Sequence, residues 1–154
     1  MSHQDPTDIR AFLRLSDRVT TSGAIGTGDP PRLAAIGVRH VINLALGDHP
    51  EILPDAAERF AAEGIRYTHI PVPFDAPDEE HFRAFAAALQ ADAMPVHVHC
   101  IMNWRVSAFM YRLNRETGMD EAEARRQMER IWSPEKSDHP DAPKWAAFVR
   151  GEGS

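Results

Sequence analysis

The chain is short of cysteine: 154 residues contain one, Cys100. No internal disulfide can form, so a packed core must hold the fold, and a chain of this length can bury one. The thiol is left free for chemistry. Basic residues are not in excess either. Seventeen Lys and Arg against 23 Asp and Glu give a formal net charge of -6 and a pI near 5.7. That balance excludes extended nucleic acid or anionic membrane surfaces as partners, because both are bound mainly through clustered cations. No stretch is apolar for the length a bilayer crossing needs. Met1 to Asp8 lack the basic-then-apolar order of a secretory leader, and with the lone thiol this leads to an expectation of the cytoplasm. Repeats, low-complexity tracts and linkers are also missing. The expectation is a single domain over 1-154, with 1-10 and 150-154 flexible.

What is present is an alternation of short β-branched runs, turn residues and helical apolar spacing, which predicts an α/β sandwich. Phe12 to Leu15 and Val19 to Ser22 read as a hairpin. Asp29, as N-cap, and Pro30 open a helix that Gly37 closes. A buried strand over 38-44 leads to a helix begun by the capping-box pair Asp55 and Glu58 and ended by Gly64. A strand over 66-70 follows, then a loop enforced by Pro71, Pro73 and Pro77. Phe82, Phe85 and Leu89 mark one face of a third helix, with Asp78 as its N-cap. The next strand, central in the sheet, delivers Cys100. Val106, Phe109, Met110 and Leu113 place a buried helix after it, which Gly118 ends. Asp120 with Glu123 caps a helix through Ile131, and Asp141-Ala142-Pro143 starts a last one with Trp145 and Phe148. Trp132 and Trp145 fill the core or form an interface, core filling being the commoner fate.

The run from Pro95 to Ser107 carries the chemistry. At a strand-to-helix turn, backbone N–H groups join the positive end of the helix dipole, which favours an anion or a thiolate there. Arg105 adds a planar fork that fits phosphate or sulfate oxygens, whereas an idle arginine at a helix start would oppose the dipole. Thiolate, amides and guanidinium are the parts needed to attack a phosphoryl group and stabilise its equatorial oxygens. Cys100 is thus a nucleophile, against the alternative of a buried structural cysteine. Asn103 sits where the loop must turn and tolerates a left-handed backbone. Trp104 either walls the pocket against an aromatic substrate or fills space. Ser107 either donates to the thiolate or leaving group, or bonds its own helix. His97 and His99 share a strand face and could hold zinc with Cys100 or His69. With no second cysteine and no carboxylate cluster, no metal and no cofactor is expected.

His99-Cys100 followed by a loop closing on Arg105 resembles the signature of the cysteine-dependent protein tyrosine and dual-specificity phosphatases. That family places five residues between Cys and Arg, usually with a central glycine and with Ser or Thr after Arg. Here only Ile101, Met102, Asn103 and Trp104 intervene, and Val106 follows. The stretch is more similar to a bacterial branch with a shortened loop of the form His-Cys-x-x-Asn-x-Arg-x-Ser-Ala-Phe. Ser16 to Gly23, Val41 to Leu44 and Ile70 to Asp75 resemble that branch in the right order. The resemblance implies a three-layer sandwich with a mostly parallel sheet of about four to five strands flanked by helices. It makes residues 101-105 the phosphate-binding loop and gives His99 the task of orienting that loop. It also puts the general acid at Asp75, on a loop beside the pocket; Asp78, its competitor, already has a cap to make. The implied activity is hydrolysis of phosphotyrosine or other phosphomonoesters through a thiophosphate. The implied partners are a phosphorylated protein or small molecule, or inorganic phosphate or sulfate. Losing one loop residue removes an N–H donor and shifts Arg105 relative to sulfur, so a non-catalytic anion-binding module is the alternative. A thiol redox sensor is a third.

Overall fold

A computed structural model describes residues 4-151. Its single sheet has five strands: β1 (Leu13–Arg14), β2 (Val19–Ser22), β3 (His40–Asn43), β4 (Arg66–His69) and β5 (Val96–His99), in the order β1-β2-β5-β3-β4. Only β1 runs antiparallel. β5 is central, and its last residue, His99, pairs with the last residues of both neighbours, Ser22 and Asn43. These strands therefore end level. The segments that leave them gather on one edge, the carboxyl edge, where ligands of parallel α/β sheets bind.

The period of two along a strand decides what covers each face. Val41 points to a cluster with Leu33, Phe60 and Ile65, while Ile42 points to a larger one with Phe82, Phe85, Phe109 and Trp145. Helices α1 (Asp29–Ala35) and α2 (Ala56–Ala61) supply the first cluster. The second is built from α3 (Glu79–Gln90), α4 (Trp104–Glu116), α5 (Glu121–Glu129) and α6 (Ala142–Val149). This is the expected three-layer sandwich. The apolar positions expected on α3 and α4 are all buried, and each such side chain contributes about 1.5–3 kcal/mol by leaving water.

Helix starts depart from expectation in two places. Asp29 lies inside α1, with Gly28 at the cap position. Its carboxylate instead accepts from Gly26 N–H at 2.7 Å and from Arg32 at 2.8 Å. Asp55 precedes α2 with φ 54° and makes no side-chain cap bond, so the capping box with Glu58 does not form. In that left-handed conformation the carboxylate is not aimed along the helix axis. Asp78 and Asp120 do cap, accepting from His81 N–H at 2.8 Å and Ala122 N–H at 3.1 Å. Near the amino end, Asp5 pairs with Arg14 at 2.7 Å and Ile9 is buried. Of the ends expected to be flexible, residues 1-3 and 152-154 lie outside the described residues. Among the described residues, no helix is long and apolar enough to cross a membrane.

Candidate active site

The loop from β5 into α4 is held tightly. Cys100 N–H donates to Ser22 O at 3.4 Å, and Ile101 O accepts from Ala24 N–H at 2.9 Å. A Cβ at Gly23 would stand 2.3 Å from Ile101 O, so only glycine allows the two chains to approach this closely. Asn103 turns the chain at φ 68°, the left-handed conformation its type tolerates. Fully buried, it donates through Nδ2 to Ala11 O at 2.9 Å and to Thr21 Oγ1 at 3.0 Å. Its side chain ties the turn to the hairpin rather than capping α4. Among the described residues, no hydrogen bond uses the backbone N–H groups from Ile101 through Val106. Several of these are the orphan donors of a helix start, and with the dipole they favour an anion.

Around this loop opens a cleft of about 310 Å³, at the lower end of the size of small-molecule sites. Cys100, Ile101, Met102, Trp104 and Arg105 line it, with Leu46 and His49 from the segment after β3, Phe74 from the segment after β4, and His139 from the approach to α6. Cys100 is 1% exposed and Arg105 7%. One guanidinium nitrogen, Nη1, donates to Val72 O at 2.9 Å, and the group stands 5.9 Å from the centre of the Phe74 ring. Trp104 walls the cleft and is backed by Trp132, stacked at 4.8 Å and 5°. Trp132 and Trp145 are both buried and pack against Phe74. Ser107 donates to Trp104 O at 2.9 Å, a bond within its own helix, and does not line the cleft.

The two histidines of β5 differ. Ser22 Oγ donates to Gly23 O, so it accepts from His97 Nε2–H, and Thr20 Oγ1 donates to His97 Nδ1, both at 2.8 Å. Neither nitrogen is left for a metal. His99 donates through Nδ1 to Cys100 O at 3.3 Å, and its buried Nε2 has no partner among the described residues. Burial lowers both pKa values, that of His99 to about 4 despite its bond to the Cys100 carbonyl, so both rings are neutral at neutral pH.

Asp75 follows Phe74 on the loop after β4. Its side chain is exposed and outside the cleft lining, and its carbonyl accepts from Lys144 Nζ at 2.9 Å. Asp78 is committed to the α3 cap. Sequence reasoning missed Leu46, His49, Phe74 and His139 as lining residues. Phe74 lay within a fragment already singled out, but nothing local marks the other three.

No model of a known protein family matches the sequence, and no curated protein matches it. Solved structures do. A structure described as a putative phosphatase (DUF442) from Shewanella putrefaciens is 28% identical, with 96% of each chain covered and a TM-score of 0.77. TpbA of P. aeruginosa, described in complex with phosphotyrosine, is 21% identical over 91% of this chain and 83% of its own, at a TM-score of 0.69. Kinase associated phosphatase, in a form whose catalytic site cysteine is replaced by serine, is 11% identical over 96% and 98%, at 0.73. The resemblance to the cysteine-dependent tyrosine and dual-specificity phosphatases therefore holds at the level of the fold, and these comparisons do not bear on the shortened-loop branch: the chain has that fold and resembles a phosphatase-like protein over nearly its whole length.

Proposed function

We propose that the chain is a cysteine-dependent phosphatase acting on phosphotyrosine or other phosphomonoesters. The observation that carries this reading is that Cys100 and Arg105 line one cleft, at a helix start whose loop N–H groups are bonded to nothing else among the described residues. The thiolate of Cys100 attacks phosphorus, an S–P bond forms and the P–O bond to the alcohol breaks. Asp75 gives its proton to the departing oxygen. Water then attacks phosphorus and gives a proton to the Asp75 carboxylate, which restores the acid; the S–P bond breaks, and phosphate and thiolate are released. Arg105 and the loop amides stabilise the equatorial oxygens throughout. Asp75 is on a loop at the cleft's edge, and the Lys144 bond to its carbonyl fixes its main chain while its side chain stays free. His99 holds the Cys100 carbonyl and so orients the loop.

The test is hydrolysis of para-nitrophenyl phosphate by wild type and Cys100→Ser, with EDTA present. Removing the nucleophile should lower turnover by at least about a thousandfold, and EDTA should change nothing. The near-complete burial of Cys100 and the engagement of Arg105 with Val72 O favour one other reading, a module that binds phosphate or sulfate without cleaving esters. Folded wild-type protein that binds phosphate but does not turn over would establish that reading and reject the enzyme.

A further inference from the structure

The cleft holds more than one phosphate group fills, and its chemistry is one-sided. Among the described residues no Asp or Glu lines the cleft, although Asp75 adjoins it beside Phe74, and the polar side chains of the lining include Cys100, Arg105, His49 and His139. The two histidines are held in the same way. His49 Nδ1 accepts from Glu51 N–H and His139 Nδ1 from Asp141 N–H, each at 3.0 Å and each from the amide two residues on. An accepting Nδ1 leaves the proton of a neutral imidazole on Nε2. Neither Nε2 has a partner among the described residues, and neither is among the buried atoms lacking one. His139 is further steadied by its ring, edge-on to Phe74 at 4.8 Å and to Trp104 at 6.1 Å, and by its main chain, which donates to Ser137 Oγ and accepts from Ala142 N–H.

We propose that His139 and His49 form a second anion subsite, beside the Cys100 and Arg105 site, and that the preferred substrate is a phosphate ester whose alcohol carries a second phosphate or a carboxylate nearby. This rests on the phosphatase reading. Two N–H donors, each on a ring held through its Nδ1, stabilise a second negative group in a cleft whose described lining holds no carboxylate. The Trp104 and Phe74 rings give the connecting part of the substrate an apolar surface. With Nδ1 occupied by a backbone N–H, each ring offers Nε2 to a ligand as a hydrogen-bond donor, so the subsite binds and leaves proton transfer to Asp75.

The test compares inorganic pyrophosphate with orthophosphate, by calorimetric titration of the Cys100→Ser protein. Pyrophosphate is expected to bind at least about tenfold more tightly. Greater charge alone could produce that preference, so the deciding quantity is its change in His139→Phe and in His49→Phe, each made in the Cys100→Ser protein. Phenylalanine keeps the ring and removes the donor. The preference should fall by about fivefold or more in at least the His139 variant, and His139→Gln, which restores a donor, should recover part of it. A preference unchanged in both phenylalanine variants, or no preference at the outset, overturns the subsite while leaving the phosphatase reading intact. Failure of both anions to bind folded Cys100→Ser protein overturns the anion site and the subsite together. Should His139→Phe not fold, His139→Leu, which also removes the donor, takes its place, and a preference unchanged in it and in His49→Phe rejects the proposal.

Discussion

Two loops border the cleft, and they are held by different means. The loop after β5 is fixed by close backbone approach and one buried amide: Gly23 against Ile101 O, Ala24 N–H on the same carbonyl, and the amide of Asn103 on Ala11 O and the hairpin. The loop after β4 is fixed by long side chains from α4 and α6 that grip its carbonyls. Arg105 donates to Val72 O, Trp145 Nε1 to Phe74 O at 2.7 Å, and Lys144 Nζ to Asp75 O. The first buries Ile101, Asn103 and Arg105 and exposes Met102 alone; the second leaves Asp75 in solvent. A cradle for developing charge must be rigid, because misplacement of about 1 Å costs on the order of a hundredfold in rate. A proton donor works from a loop that can close on the leaving group.

The contrast is broken most severely by Gly23→Ala. The added methyl would meet a backbone oxygen that has no other course, since Ile101 O also accepts from Ala24. A loss of about 3 kcal/mol or more is expected, with overpacking and a displaced loop both contributing. Urea unfolding measures it, and a loss below about 1 kcal/mol would mean that the loop is not held by this approach. The same change in the second loop has no counterpart, because no glycine lies within it.

Acid tests the strand beneath the rigid loop. His99 is held from its usual 6.5 down to about 4 and His97 well below 6.5, chiefly by burial. Unfolded histidine binds a proton near 6.5 while the folded rings stay neutral, so between these values the unfolded state carries more protons. Stability therefore falls as pH drops from about 6.5 to about 4, by about 3 kcal/mol from His99 alone. Melting followed across that range should show the decline. His97→Gln should lessen its slope at the lower end, and a flat profile would contradict burial of neutral rings.

How much of this was legible in the sequence follows the same division. Val41 and Ile42, alternate residues of one strand, announce two covered faces, and the apolar spacing of α3 and α4 was sufficient to place both helices. Asn103 was legible because a turn with no glycine needs a residue that accepts positive φ. The two failed caps show two weaknesses of a cap motif: the Asp29 carboxylate finds Arg32 and a loop amide instead, and Asp55 enters its helix in a left-handed conformation without a side-chain cap bond. His49 and His139 were not legible as lining residues. They come from segments about ninety residues apart that meet only because β3 lies beside β5 and α6 packs back on the larger cluster, and no local pattern encodes such a meeting. The same holds for the grip of Trp145 on Phe74, 71 residues away.

Trp145→Phe sharpens the contrast at moderate cost. It removes the N–H that holds Phe74 O and leaves a small void in a fully buried position. About 2 kcal/mol of stability is expected to go. Because Phe74 carries the cleft wall into the loop of Asp75, kcat/KM should fall by more than phosphate affinity does, which activity and titration on the same preparation would reveal. Equal falls would show instead that the two loops move as one.

Lys144→Met is the gentlest change and the most selective. The lysine is half exposed, donates to Asp75 O and lies 3.3 Å from Asp141, so stability should change by no more than about 0.5 kcal/mol. Its carbonyl bond nonetheless fixes the backbone from which Asp75 reaches the leaving oxygen. The expected signature is a dependence on leaving group: kcat/KM for phenyl phosphate, whose phenolate needs the proton, falls by about three- to tenfold, while para-nitrophenyl phosphate, whose anion departs with little help, is nearly unaffected. Asp75→Asn should show the same pattern more strongly. A Lys144→Met enzyme that slows both esters alike would mean that the second loop shapes binding rather than proton transfer, and Asp75 would lose its role as the acid.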